Sequence, residues 1–151
     1  MQGRQSRKKG WAMVFGAKEG SISVGGARMN YVVFGSGEKP FVILPGLSDG
    51  LKTVKGQAGT LALYYRKIAG KFRCYIFSRK EPLERAYSTE NMAEDLKQAL
   101  DFLGLKRVHL MGVSQGGMIA QYAAIKYPSL VEKLVVAVSA SRPNDLLCGA
   151  V

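Results

Sequence analysis

Residues 108–127, VHLMGVSQGGMIAQYAAIKY, carry an apolar strand through Gly112, Val113, Ser114, Gln115 and Gly116 directly into a helix. A strand and a helix that meet within one G-x-S-x-G turn force the serine backbone into a strained conformation. Glycine flanks the serine because side chains there would collide with neighbouring backbone. VHLMG reads as a buried strand, and Met118, Ile119, Tyr122, Ala123 and Ile125 have the apolar spacing of a packed helix that ends at Tyr127 before Pro128. That helix presents its positive N-terminal end and free N–H groups where an oxyanion would develop. Ser114 is therefore the first candidate for a nucleophile.

Upstream, Ser21 to Val24 and Arg28 to Gly35 bracket Gly25 and Gly26, a pair suited to a tight hairpin turn, which predicts an antiparallel ribbon at a sheet edge. Phe41 to Leu44 is a continuous apolar run of the kind found in strands covered on both faces, and it stops at Pro45 and Gly46. A glycine-rich irregular stretch follows over residues 47–59. Leu61, Tyr64, Tyr65 and Ile68 then fall at helical spacing with Gly70 as the stop. Arg73 to Phe77 predicts a second buried strand, and residues 78–88 a polar loop. Ser88 or Thr89 can cap the next helix, whose Met92, Leu96, Leu100 and Leu103 share one face before Gly104. After the serine turn and its helix, Leu134 to Val138 predicts one more buried-type strand. Strands alternating with helices imply right-handed crossovers and a parallel sheet, here after an antiparallel start. Tyr64, Tyr65, Tyr122 and Tyr127 are expected to be helix packing residues.

A chain of 151 residues has room for one domain, and 47 % hydrophobic content suits a globular one. No apolar run approaches the roughly 18 residues of a membrane span. Two cysteines, Cys74 and Cys148, make no disulfide framework, so the expected setting is a reducing cytoplasm. The net charge of +11 raises the question of nucleic acid or anionic lipid. Its lysines and arginines are nevertheless dispersed, apart from Arg4, Arg7, Lys8 and Lys9 in a basic tail over residues 1–20, expected to be mobile. No nucleic-acid-binding signature accompanies them, and no specific nucleic-acid partner is expected.

From about residue 21 to residue 140 the sequence resembles the α/β-hydrolase fold superfamily, in its branch of small serine esterases and lipases. The edge hairpin, the strand ending LPGLSDG, the strand ending YIFSRK, the capped helix and GVSQGG carry the resemblance. The implied fold is α/β: a mostly parallel sheet with an antiparallel N-terminal hairpin and flanking helices, ending after the sixth-strand equivalent. Residues 21–151 would be the N-terminal part of such a domain. The resemblance implies that Ser114 is the nucleophile of a nucleophile elbow and that the oxyanion hole uses the N–H groups of Gln115 and Leu47. Relatives often have His-Gly where this chain has Pro45-Gly46, but the donor is a backbone group and survives the change. The implied substrate is a small-molecule acyl compound, with no cofactor and no metal.

The resemblance breaks at the base and the acid. A serine hydroxyl needs a neighbouring base, and the family order is serine, acid, histidine. The single histidine, His109, precedes Ser114 on the same strand. At about 3.3 Å per residue it lies roughly 16 Å from the serine, so it is expected to be a structural strand residue. Relatives usually place the acid after a seventh strand and some after the sixth. Asp145 is positioned for the second arrangement, although a loop aspartate beside Pro143 and Asn144 also reads as a turn residue. Arg79 follows the fourth-strand equivalent, where relatives often carry a site-shaping Asp-x-x-Gly loop; a solvated surface arginine is the expectation. Ser48 and Asp49 would line the pocket mouth or simply form a turn.

Stopping after Leu134 to Val138 leaves an open edge, to be covered by a C-terminal half or a partner chain. The sequence thus resembles the N-terminal half of a hydrolase that would cleave a carboxylic ester or similar acyl bond, with little or no turnover by this chain alone. A non-catalytic ligand- or partner-binding protein on the same fold is the alternative.

Overall fold

The computed structural model describes residues 14–46 and 53–141. Strands β1 (Lys18–Val24), β2 (Ala27–Phe34), β3 (Lys39–Leu44), β4 (Phe72–Phe77), β5 (Val108–Val113) and β6 (Val131–Ala137) form one sheet in the order β1-β2-β4-β3-β5-β6. The β1/β2 and β2/β4 pairs are antiparallel, and β4, β3, β5 and β6 run parallel. A short 3-10 turn at Val14–Gly16 precedes β1. The helices are α1 (Ala58–Tyr64), α2 (Arg66–Ala69), α3 (Thr89–Phe102) and α4 (Gln115–Lys126). None of them is long and apolar enough to cross a membrane, among the described residues.

The hairpin turn takes Gly25 and Gly26 to φ 55° and 80°, the left-handed pair that matches the twist of the flanking strands. The ribbon is longer than expected: β1 starts at Lys18, so Lys18, Glu19 and Gly20 are strand residues rather than tail. Glu19 shows why, since its carboxylate accepts the backbone N–H groups of Gly56 at 2.6 Å and Ala58 at 3.4 Å, tying β1 to the start of α1. Residues 1–13 of the expected tail lie outside the described residues.

Both sheet faces are covered at the centre, as the uninterrupted run of β3 requires. Val42 and Leu44 pack with Ile22, Met29, Leu110 and the α3 residues Met92, Leu96 and Leu100 on one face. Ile43 packs with Val32, Phe34, Ile76 and the α1–α2 residues Ala58, Ala62 and Ala69 on the other. Cys74 belongs to this second cluster, and burial pushes its thiol up to about 12, so it stays protonated and unreactive.

The predicted helix around residues 61–68 differs in one respect. It is two short helices broken at Tyr65, whose φ of −93° and ψ of 17° leave the helical path. Leu61, Tyr65 and Ile68 still pack on the core, but Tyr64 is 75 % exposed and meets Tyr65 edge-on at 4.9 Å. Gly70 leaves α2 with φ −75°, so no left-handed stop is used there. Tyr122 is also partly exposed, at 39 %, whereas Tyr127 packs against the core and donates its hydroxyl to Glu94.

Helix α3 follows its predicted boundaries. The Ser88 hydroxyl accepts the Asn91 N–H at 3.1 Å, and Gly104 at φ 70° ends the helix with Leu105 N–H on the Leu100 carbonyl at 2.8 Å. Ser88→Ala should lower stability by about 1 kcal/mol, read as a shifted urea midpoint with an unchanged slope. An unshifted midpoint would show that the cap contributes nothing.

Strand β6 pairs with β5 from Val108↔Val131 to Val113↔Ala137. Its other edge has no pairing strand among the described residues, and Leu134, Val135 and Val136 are between 38 % and 45 % exposed. The apolar run reads as buried, yet here it lines an uncovered edge.

Candidate active site

The parallel strands β3, β4 and β5 all end on the same side of the sheet, and their final residues converge there. Ser114 joins β5 to α4 with φ 52° and ψ −122°, a conformation costly for a residue with a Cβ. Its peptide groups are held firmly. The Ser114 N–H donates to the Ala137 carbonyl at 3.0 Å. Its own carbonyl accepts from Gly117 N–H at 2.9 Å, Met118 N–H at 3.3 Å and the Ser139 hydroxyl at 2.7 Å. The side chain is exposed and makes no capping bond to α4, so the hydroxyl stays available at the tip.

The glycines around it are required by contact. A Cβ on Gly112 would lie 2.2 Å from the Gly116 carbonyl oxygen, and one on Gly116 would lie 2.1 Å from the Leu44 carbonyl oxygen. Gly46 passes directly against the serine, its Cβ position 3.4 Å from Ser114 Cβ and 4.0 Å from Oγ. The loop after β3 therefore approaches the nucleophile candidate as the sequence implied. Gln115 is the first residue of α4, where N–H groups lack intrahelical acceptors. Leu47, Ser48 and Asp49 lie outside the described residues, and so does Asp145.

Arg79 corrects the expectation of a solvated arginine. It is 4 % exposed, and one guanidinium nitrogen, Nη2, donates to the Pro45 carbonyl at 2.7 Å and to Gln115 Oε1 at 3.3 Å. Burial pulls its pKa down from 12.5 to about 10, which still leaves the charge in place at neutral pH. One signal in the sequence pointed this way. Arg79 falls just past the end of a buried parallel strand, and side chains there face the crevice where open α/β sheets bind ligands.

His109 stands at the other end of β5. Its ring packs against Phe72 at 5.3 Å and Phe41 at 6.3 Å, and only 7 % of the residue is exposed. It is a packing residue there, remote from Ser114 as expected.

Below the loop after β4 sits a second charged group that the sequence did not single out. Lys80 and Asp95 are both buried and 3.5 Å apart, the Tyr87 hydroxyl donates to Asp95 at 2.9 Å, and the Lys80 ammonium lies 4.1 Å from the Tyr87 ring centre. These contacts pin residues 78–88 onto α3. On the opposite face of the sheet, a cavity of about 660 Å³ opens beside Gly46 and Val113. Leu61, Tyr64, Tyr65, Ile76 and Met111 line it.

The profile of the alpha/beta hydrolase fold family matches residues 39–147. Human serine hydrolase BPHL is 33 % identical over 136 residues, covering 85 % of this chain and 46 % of that protein. Human epoxide hydrolase 4 is 34 % identical over 125 residues, covering 82 % of this chain and 34 % of that one. The crystal structure of a hydrolase from Pseudomonas aeruginosa superposes with a TM-score of 0.69 at 24 % identity, covering 85 % of this chain and 48 % of the other. The chain thus spans less than half the length of these relatives. With the family profile matched over residues 39–147, most of the chain, and a mixed six-stranded sheet flanked by helices, the chain belongs to the alpha/beta hydrolase fold family.

Proposed function

We propose that this chain supplies the nucleophile half of a serine hydrolase acting on a carboxylic ester or similar acyl bond. The observation that carries the reading is Ser114 held at φ 52° with its hydroxyl exposed and Gly46 against its side chain. In this reaction Ser114 Oγ gives its proton to a base and bonds to the acyl carbon. The carbonyl oxygen becomes an oxyanion held by the N–H groups of Gln115 and Leu47, each worth on the order of 3 kcal/mol in the transition state. Collapse expels the alcohol, which takes the proton, and leaves an acyl-serine that water then hydrolyses. The similarity to human serine hydrolase BPHL supports a serine as the reacting group.

The base has to come from a segment other than the described residues, because His109 is packed between Phe41 and Phe72 at the far end of β5. Asp145 is proposed as the acid. A C-terminal half or a partner chain pairing with the free edge of β6 would bring the base within reach and cover Leu134 and Val136. Residues 1–151 alone are therefore expected to show little or no turnover. The remoteness of His109 equally favours a second function, non-catalytic binding of a small ligand or partner on the same fold.

Incubation of the form made in the source cell with a fluorophosphonate, followed by peptide mass spectrometry, separates the two. A single adduct on Ser114, lost in Ser114→Ala, is the expected result. An unlabelled protein, or an adduct elsewhere with ester hydrolysis unchanged in Ser114→Ala, would sink the serine mechanism.

A further inference from the structure

We infer that Ser139 is a positioning residue for the Gln115 N–H, the oxyanion donor that follows the nucleophile candidate, and that it acts through the Ser114 carbonyl. The inference rests on the serine-hydrolase reading above and adds to it a residue that the reaction chemistry alone does not require. The Ser114 carbonyl and the Gln115 N–H belong to one trans peptide unit. Such a unit is planar, its oxygen and its amide hydrogen point in opposite directions, and whatever aims the carbonyl aims the N–H with it. The Ser139 hydroxyl donates to the Ser114 carbonyl at 2.7 Å, closer than Gly117 N–H at 2.9 Å and Met118 N–H at 3.3 Å. Those two amides belong to α4 and move with it. Ser139 follows β6, so its bond ties the same peptide to the sheet.

Two further observations single this contact out. First, the glycine at 117 makes room for it, since a Cβ there would lie 2.5 Å from both Cβ and Oγ of Ser139. The G-x-S-x-G pattern stops at Gly116 and does not itself call for glycine at the next position; the approach of Ser139 does. Second, the chain bends to deliver it. Val138 sits at φ 49° with its residue 90 % exposed, a conformation costly for a β-branched side chain and offset by no burial of its own. On either side of that bend, the Ala137 carbonyl accepts the Ser114 N–H at 3.0 Å and the Ser139 hydroxyl meets the Ser114 carbonyl. Both peptides flanking Ser114 are thus held by the end of β6, and the next carbonyl, that of Ala140, accepts from Gln121 of α4 at 3.1 Å. An oxyanion donor acts only when it is aimed before the charge appears, and a hydrogen bond to the carbonyl of its own peptide polarises it toward stronger donation.

The test is hydrolysis of p-nitrophenyl butyrate by the form of the protein made in its source cell, with kcat and KM determined separately. Ser139→Ala should lower kcat by about 10-fold while KM changes by no more than about threefold. Ser139→Thr, which keeps the hydroxyl, should recover most of that loss. Inhibition by a trifluoromethyl ketone supplies a second readout. Ser114 Oγ gives its proton to the base and bonds to the ketone carbon, and the oxygen becomes an oxyanion that cannot collapse forward because no group can leave. Its Ki should rise in Ser139→Ala in proportion to the fall in kcat/KM.

A kcat unchanged per folded molecule in Ser139→Ala, even with a lowered melting temperature, overturns the inference and leaves the Ser114 mechanism standing. A lower kcat with unchanged inhibition by the ketone overturns it too, because the oxyanion donor would then be aimed as before. Should Ser139→Ala fail to fold, Ser139→Cys, which fills the same space with a much weaker donor, decides the matter by the same criteria. Turnover that does not depend on Ser114 removes the serine mechanism and this inference together, an outcome distinct from the others.

Discussion

Gly116→Ala is expected to lose about 3 kcal/mol or more of folding stability, the upper end of what overpacking costs. The added methyl carbon would lie 2.1 Å from the Leu44 carbonyl oxygen, and 2.7 Å from both the Leu44 carbonyl carbon and the Pro45 oxygen. An overpacked side chain usually finds relief because its neighbour rotates away. Here the obstacle is backbone at the end of β3, and Leu44 is paired with Gly112 in the ladder and is itself 2 % exposed. Relief requires α4 to lift from the sheet, which would also move Gln115 and the serine turn. Urea denaturation of Gly116→Ala against Gly70→Ala provides the measurement, since Gly70 has ordinary φ and nothing within 4 Å of its Cβ position. Gly70→Ala should stay within about 0.5 kcal/mol of the parent. Equal midpoints for the two variants would mean that β3 and α4 do not meet as described.

Asp95→Ala is expected to cost about 3–5 kcal/mol, because it leaves the Lys80 ammonium buried without its counter-charge. Burial works against that charge, but the bond to Tyr87 and the Asp95 charge outweigh it and hold the Lys80 pKa above 10.5. The raised value makes this contribution fully present below pH 10.5 and lost as pH rises through the folded-state pKa. Asp95 shifts in the same direction for the opposite reason, since its charged form is the disfavoured one. Burial outweighs its bonds to Tyr87 and Lys80 and raises its pKa above 3.8, so stability from this group declines as pH rises from there toward neutrality. The pair as a whole is therefore worth little against an apolar substitute. Lys80→Met combined with Asp95→Leu should regain most of what Asp95→Ala loses, and a double-mutant cycle by denaturation measures it. A double variant as unstable as Asp95→Ala would show that the pair contributes more than charge compensation.

Much of the fold was legible because each signal was local. Gly25-Gly26 specified its turn, the FVIL run specified a strand covered on both faces, and Ser88 and Gly104 marked the ends of α3. The same holds for the serine turn, where a Cβ at position 112 or 116 would fall 2.1–2.2 Å from a backbone oxygen, so glycine is required at both. What stayed hidden depends on distant chain segments. Arg79 looks like a solvated cation until Pro45 and Gln115 are brought beside it from other strands. Lys80, Asp95 and Tyr87 are ordinary surface types on a loop and a helix, and only their convergence buries them. The start of β1 was misjudged because the reason for it, Glu19 reaching the backbone ahead of α1, is a contact across the fold. The two oxyanion segments were named from motif position, whereas Leu47 and Asp145 fall outside the described residues.

The position of β3 also governs how the chain reaches this structure. Phe41 pairs with Cys74 on one side and His109 on the other, so the central strand finds neither partner nearby in sequence. The hairpin of β1 and β2 forms from adjacent residues, but the sheet cannot close until most of the chain has been synthesised. Topologies dominated by such distant pairings fold slowly, because loop-closure entropy is spent before the contacts repay it. During that interval the FVIL segment is a sticky, unpaired ribbon emerging early from the ribosome. Attempts to produce this protein will be decided by how well that one strand is shielded while it waits for β5.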